Sequence, residues 1–144
     1  MIELREITRD NYKQCVNLRV SDNQQNFVAS NVFSLTQAKY EPECIPLAIY
    51  TDDEMVGFVM YCVDIDDDNY WIYRLMIEEK HQRKGYAFDA MMQVIDIIKQ
   101  DKTRHKIYID CKHENIAAQE LYAKLGFVRT DEIDDLEVYM RLDY

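Results

Sequence analysis

One of the three glycines in this chain of 144 residues, Gly85, lies where the sequence pattern changes from a strand to a helix. Residues 70–77 are rich in aromatic and β-branched side chains, whereas residues 86–99 repeat apolar side chains at helical spacing. A glycine at such a turn lets backbone N–H groups approach an anion, which the positive end of the helix also favours. The sequence therefore predicts a phosphate-binding bend, formed mainly by the backbone of Gln82, Arg83, Lys84, Gly85, Tyr86 and Ala87.

The charge around this bend is opposite to that of the whole chain. Lys80, Arg83 and Lys84 lie close together, although the chain carries a formal net charge of −10. Backbone donors supported by a few cations suit a ligand that carries a pyrophosphate group. The alternative is a basic surface loop followed by an ordinary helix.

A second motif lies downstream, over residues 115–127, and combines a helix start with a helix end. Asn115 is of the residue type that caps helices, and Gly126 can adopt the left-handed conformation that ends them. The spacing places Ala117, Leu121 and Leu125 on one helix face. A cap and a packing face alone would also explain these residues.

Together the two motifs resemble the coenzyme site of the GNAT family of N-acetyltransferases. Residues 82–87 give the pattern Q-x-x-G-x-A, and residues 115–127 give N-x-x-A-x-x-L-Y-x-x-x-G-F. The resemblance implies acetyl-CoA as the co-substrate, with Asn115 beside its pantetheine or pyrophosphate. It also implies that Met76 and Ile77 offer backbone groups to the pantetheine and the acetyl carbonyl.

The same resemblance assigns catalytic roles. Tyr122 is expected near the sulfur of the coenzyme, where its phenol can protonate the departing thiolate as a general acid. An aromatic residue that only packs its helix on a sheet is the alternative. For the general base we expect Glu78, which directly follows the central strand, with Glu79 as second candidate. Glutamates that merely face solvent are equally compatible with these positions.

Alternating and helical patterns along the chain predict strands and helices in the order β-α-α-β-β-β-α-β-α-β-β. The first helix is expected to begin at Thr8 or Asp10, and a capping box at Ser34 predicts a second helix through Tyr40. The acidic residues 64–69 are expected at a hairpin tip and not in an EF-hand, because position six is Asn69 instead of glycine. This order matches the GNAT architecture, which is α/β (α+β), with a mixed sheet of six to seven strands and about four helices.

Size and composition limit the classes of protein. The length fits one domain, residues 1–144, and the acidic balance argues against a nucleic-acid-binding or anionic-membrane surface. The four cysteines form no C-x-x-C pair, so no metal site is expected. There is no signal peptide and no long apolar run, so a cytoplasmic location is expected.

The acceptor is expected to be a polycation. Acidic stretches at residues 64–69 and 131–137, with Glu41 and Glu43, would make the acceptor side negative. The chain also resembles the bacterial spermine/spermidine acetyltransferases. We therefore predict direct attack of a polyamine nitrogen on bound acetyl-CoA, with no covalent acyl-enzyme. The alternative acceptors are a protein or peptide amine and an aminoglycoside. The alternative function is that of a non-catalytic CoA-binding sensor. A homodimer is compatible with the family.

Overall fold

Seven strands pair into one mixed sheet in the computed structural model, which describes residues 1–144. The strands are β1 (Ile2–Glu6), β2 (Cys44–Thr51), β3 (Glu54–Val63), β4 (Tyr70–Ile77), β5 (Lys106–Lys112), β6 (Val128–Arg129) and β7 (Glu137–Asp143). The helices are α1 (Tyr12–Asn17), α2 (Asn31–Tyr40), α3 (Tyr86–Ile98) and α4 (Ile116–Lys124). The order in the sheet is β1-β2-β3-β4-β5-β7-β6, in which only β4 and β5 run parallel.

Acidic residues form the turns of the two central hairpins. Asp52 and Asp53 both have positive φ, 49° and 65°, as the tight turn between β2 and β3 requires. Asp68 has φ 58° at the tip between β3 and β4. Aspartate tolerates this left-handed conformation better than most residues. Residues 64–69 therefore form a hairpin tip, as the flanking strand patterns predicted.

The predicted starts of the first two helices were wrong. Helix α1 begins at Tyr12, because Thr8 to Asn11 form a turn in which Asn11 Oδ1 accepts a hydrogen bond from Thr8 N–H at 2.7 Å. Helix α2 is capped by Ser30, whose Oγ accepts from Phe33 N–H at 3.1 Å. Ser34 lies inside α2, where its hydroxyl donates to the Ser30 carbonyl at 3.1 Å. A serine inside a helix commonly makes this bond. The sequence pattern alone therefore could not tell whether Ser34 caps the helix or lies inside it.

The sheet buries an apolar layer on each face. Helix α3 packs Met91, Val94 and Ile98 against the face that carries Ile72 and Ile109. On the other face, α1 and α2 cover a second cluster, which includes Cys15, Phe58, Met60 and Met76. No helix in the structure combines the length and apolar character that a membrane span needs.

The central parallel pair separates after three residues. Tyr70, Trp71 and Ile72 pair with Ile107, Tyr108 and Ile109, and the ladder then stops although both strands continue. The later residues of β4 keep their pairing with β3, and those of β5 keep theirs with β7. A gap therefore opens in the middle of the sheet, with unpaired strand edges on both sides.

Candidate active site

A cavity of about 670 Å³ fills the gap between β4 and β5 and extends to the start of α3 and to α4. Nine of the eleven residues predicted for the site line it: Met76, Ile77, Gln82, Arg83, Gly85, Tyr86, Ala87, Asn115 and Tyr122. Lys84 is exposed beside the cavity and is not part of its lining. Glu78 does not line it either.

The bend before α3 contains two residues in the left-handed backbone conformation. Arg83 and Gly85 have positive φ, 64° and 81°, and Gly85 precedes the first turn of α3 in the left-handed conformation. Such alternation turns successive N–H groups toward one concave side. A Cβ atom on Gly85 would meet no protein atom within 4 Å, so the space beside it is open. The bend can therefore accept an anion at close range.

Gln82 holds the bend in place through its side chain. Its amide nitrogen Nε2 donates to the Ile77 carbonyl and to Gln24 Oε1, both at 2.8 Å. Both N–H groups of that amide are thereby used within the protein. Gln82 therefore connects β4 to the bend and to the segment that contains Gln24.

The register of β4 decides which backbone groups face the cavity. Glu78 N–H donates to the Val56 carbonyl at 2.8 Å, and Met76 lies opposite Phe58 two residues earlier. Bonded and non-bonded pairs alternate along an antiparallel ladder, so the backbone groups of Met76 also point toward β3. Those of Leu75 and Ile77 point toward the cavity. Leu75 is thus a site residue that the sequence did not single out.

Helix α4 presents Tyr122 to the cavity. Asn115 begins the helix, since its Oδ1 accepts from Ala118 N–H at 3.2 Å, as predicted from its residue type. Of the expected packing face, Leu125 is buried in the core and Leu121 packs against it, whereas Ala117 is exposed and lines the cavity. Tyr122 is buried on the same side of the helix, and Gly126 follows the helix end with a φ of 101°.

The environment of Tyr122 keeps its phenol protonated. The residue is 6% exposed and packs against Phe127 with 6.1 Å between ring centroids. Burial raises the pKa of Tyr122 well above the usual tyrosine range, and the nearby Cys111 and Asp110 raise it further. Its hydroxyl makes no hydrogen bond within the protein, so it can donate to a bound molecule.

The structure does not bring Glu78 to Tyr122. Its side chain lines a separate cavity of about 210 Å³, together with Gln14 and Asn17. There its carboxylate lies 3.8 Å from Lys80 Nζ. Glu79 belongs to a short 3₁₀ turn, is exposed and does not line the main cavity. Glu78 was expected in the site because it directly follows the central strand. Its position after a strand does not reveal the direction in which its side chain points.

Two other carboxylates line the cavity instead, Asp110 on β5 and Glu137 on β7. In the register of these strands Asp110 lies opposite Tyr139 and Lys112 opposite Glu137, so both acids point to the same face of the sheet. Burial raises the pKa of both groups. The nearby cations, Arg74 for Asp110 and Lys112 for Glu137, offset this rise only in part. Sequence reasoning missed Asp110, because a polar residue in an alternating strand normally indicates a solvent-facing position.

These carboxylates and Tyr122 lie on opposite faces of the sheet. Asp110 shares its face with Trp71, which stacks on Tyr108 at 5.1 Å between ring centroids. Tyr122 packs with the cluster on the α3 and α4 face. The cavity therefore passes through the sheet and joins an anion-accepting bend to a pair of acids.

Residues 2–127 match the acetyltransferase (GNAT) family. The spermine/spermidine N(1)-acetyltransferase of Bacillus subtilis (strain 168) is 30% identical over 139 residues, covering 92% of this chain and 91% of that protein. The chain belongs to the GNAT acetyltransferase family. The family, the mixed fold and the enzyme class expected from the sequence are thus confirmed.

Solved structures share the fold of this GNAT acetyltransferase. The spermidine N-acetyltransferase from Vibrio cholerae in complex with CoA and spermine has a TM-score of 0.78 and 19% identity, with 99% of this chain and 95% of that chain covered. A dodecameric structure of that enzyme in an intermediate state has a TM-score of 0.75 and 18% identity, covering 99% and 93%. At 18% to 19% sequence identity, these structures show only that the fold is shared.

Proposed function

We propose that this GNAT acetyltransferase moves the acetyl group of acetyl-CoA to a primary amine of a polyamine such as spermidine or spermine. One observation carries the proposal: a cavity through the sheet has an anion-accepting bend on one side and two acids, Asp110 and Glu137, on the other. The named activity of the Bacillus subtilis relative supports the same acceptor.

The coenzyme would be held mainly by backbone groups. We propose that the N–H groups of residues 82–87 bind its pyrophosphate, with added positive charge from the exposed Arg83 and Lys84. The cavity-facing backbone groups of Leu75 and Ile77 would pair with the pantetheine as an added strand edge would. Asn115, which begins α4 at the cavity wall, would lie beside the same ligand.

The acceptor side would select cations. Two partly buried carboxylates on the cavity wall attract a polyamine, and their desolvation penalty falls when an ammonium group binds between them. Binding of a cation would explain why Asp110 and Glu137 lie where burial opposes their ionisation. An aminoglycoside is also a polycation. The same two acids therefore make it the second candidate acceptor.

The reaction would proceed by direct attack. An aliphatic amine with a pKa near 10.4 must lose a proton first, at a cost of about 4 to 5 kcal/mol at pH 7. We propose that Asp110, in place of Glu78, receives this proton. The amine nitrogen then bonds to the acetyl carbon and the C–S bond breaks. Tyr122 donates its phenol proton to the leaving thiolate, and the resulting phenolate takes up the second proton, which the nitrogen loses as the amide forms. Positioning in the cavity supplies much of the acceleration.

Thiol release from acetyl-CoA with a panel of amines tests the proposal. We expect release with spermidine and spermine, and intersecting lines when both substrates are varied. Parallel lines would contradict direct attack, and release only with an aminoglycoside or a peptide amine would replace the acceptor. Tight CoA binding in calorimetry without release for any amine would identify a non-catalytic sensor.

Domain number, location and assembly stay predictions. We propose a single catalytic domain in the cytoplasm, with a homodimer as the simplest assembly. The dodecameric Vibrio cholerae enzyme makes a larger assembly the alternative. Light scattering on the purified chain distinguishes a dimer from either a monomer or a dodecamer.

A further inference from the structure

The segment between α1 and α2 forms part of the cavity wall. Val20, Gln24, Phe27 and Val28 all line the cavity. Val28 packs against the apolar cluster on the α1 and α2 face, the face to which Asp110 points. We call residues 20–29 the wall loop. It encloses the side of the cavity at which the acceptor amine would enter.

One hydrogen bond connects the wall loop to the coenzyme bend, and a second joins the residues that precede these two segments. Gln82 Nε2 donates to Gln24 Oε1 at 2.8 Å, and Glu79 N–H donates to the Arg19 carbonyl at 2.8 Å. The first bond joins residues that are 58 positions apart in the chain. It is the direct side-chain contact between the bend and the wall loop.

Gln24 is itself held by its own turn. Its N–H donates to the Ser21 carbonyl at 2.9 Å, and its Oε1 also lies 3.4 Å from Ser21 N. The amide oxygen of Gln24 is therefore shared between its own turn and Gln82 of the bend. If the wall loop moves away, one N–H of the partly buried Gln82 amide loses its acceptor, which costs free energy.

We infer that Gln24 is a positioning residue that couples the coenzyme bend to the wall loop. A ligand on the bend orders Gln82, which then favours the position of the wall loop in which Gln24 accepts its hydrogen bond. In that position the wall loop completes the acceptor side of the cavity. Coupling of this kind is reciprocal, so a bound acceptor also strengthens coenzyme binding. The inference rests on the proposed function for the identity of the two ligands.

Calorimetry with matched variants tests the coupling. The affinity for spermine is measured with and without saturating CoA in the wild type, Gln24→Ala and Gln25→Ala. Gln25 is the exposed neighbour whose side chain donates a hydrogen bond to Asp22 of the same turn, so it is the control. We expect CoA to raise the affinity for spermine in the wild type and in Gln25→Ala. In Gln24→Ala the enhancement should fall about three- to tenfold, the effect of one hydrogen bond.

Two further variants separate coupling from a loss of folding. Gln24→Glu keeps an oxygen that accepts from Gln82 and should retain most of the enhancement. In a double-mutant cycle, Gln24→Ala should have little additional effect in a Gln82→Ala background. Additive effects, or an unchanged enhancement in Gln24→Ala, would overturn the inference.

Hydrogen exchange makes the test independent of the acceptor. CoA alone should slow amide exchange in residues 20–29 of the wild type, and this protection should be lost in Gln24→Ala. If CoA binds but no amine is acetylated, the proposed function fails while this measurement still decides the coupling. If CoA does not bind the wild type, both are overturned.

Discussion

The phenol of Tyr73 donates a hydrogen bond to the Asp64 carboxylate, with 2.6 Å between the two oxygen atoms. Tyr73 lines the cavity, and Asp64 begins the acidic tip between β3 and β4. This bond lowers the pKa of Asp64 below its usual range. The hairpin tip is thus tied to the cavity wall, so Asp64 has a structural contact that a solvated acidic turn does not need.

Tyr73→Phe should destabilise the protein in a pH-dependent way. Because the pKa of Asp64 is lowered in the folded state, its contribution is present above the unfolded-state pKa and is lost as pH falls through the folded value. The variant should lose about 1 to 2 kcal/mol of unfolding free energy at pH 7 and clearly less at pH 3. Urea titrations at both pH values measure this, and Tyr40→Phe, at a residue that is 79% exposed, is the control. An equal loss at both pH values would assign the effect to packing.

Tyr122→Phe should lower kcat about 10²-fold or more while CoA affinity stays within about twofold, because the substitution removes only the proposed proton donor to the thiolate. The substitution keeps the ring that packs on Phe127, so the thermal midpoint should change little. Single-turnover kinetics and calorimetry with CoA measure the two quantities. Unchanged turnover would remove the acid role of Tyr122.

Gly85→Ala should weaken CoA binding more than it weakens the fold. The positive φ of 81° costs about 1 kcal/mol for alanine, and the added methyl group enters the open space in which the anion would lie. Gly126→Ala is the matched control, since its φ of 101° is equally unsuited to alanine but lies outside the cavity lining. Both variants should lose unfolding free energy, whereas only Gly85→Ala should bind CoA at least about tenfold more weakly. Equal CoA affinities in the two variants would contradict the anion-binding bend.

Asp110→Asn should stabilise the protein and impair the enzyme. Burial raises the pKa of Asp110, so its stabilising contribution is present below the unfolded-state pKa and is lost as pH rises through the folded value. At pH 7 the buried charge is a net cost, which asparagine removes. We expect a higher urea midpoint at pH 7 and a fall in kcat/KM for spermidine of about tenfold or more.

Glu78→Gln is the control for this assignment, since Glu78 lines the separate cavity. Its kcat/KM and the acidic limb of its pH profile should match the wild type. In Asp110→Asn that limb should disappear, because the group that must be deprotonated for catalysis is absent. The opposite pattern would return the general base to Glu78.

The sequence determined the features that depend on a few neighbouring residues. Gly85 and Gly126 adopt positive φ, and Asn115 caps α4, because backbone preference and one short hydrogen bond decide these conformations. The two motifs also identified the family, since each covers one turn and part or all of one helix. The range of β4, residues 70–77, followed from its aromatic and β-branched side chains for the same local reason.

Only the tertiary structure decided which side chains share the cavity. Asp110 and Glu137 meet there because the register of β5 and β7 turns both to one face, and a shift of one residue would reverse this. Glu78 follows the same strand that lines the cavity, yet it points away from it. Gln24 and Gln82 meet across 58 residues of sequence. Strand register, the separation of β4 from β5 and contacts between distant segments are set by the packing of the whole sheet, and no short stretch of sequence specifies them.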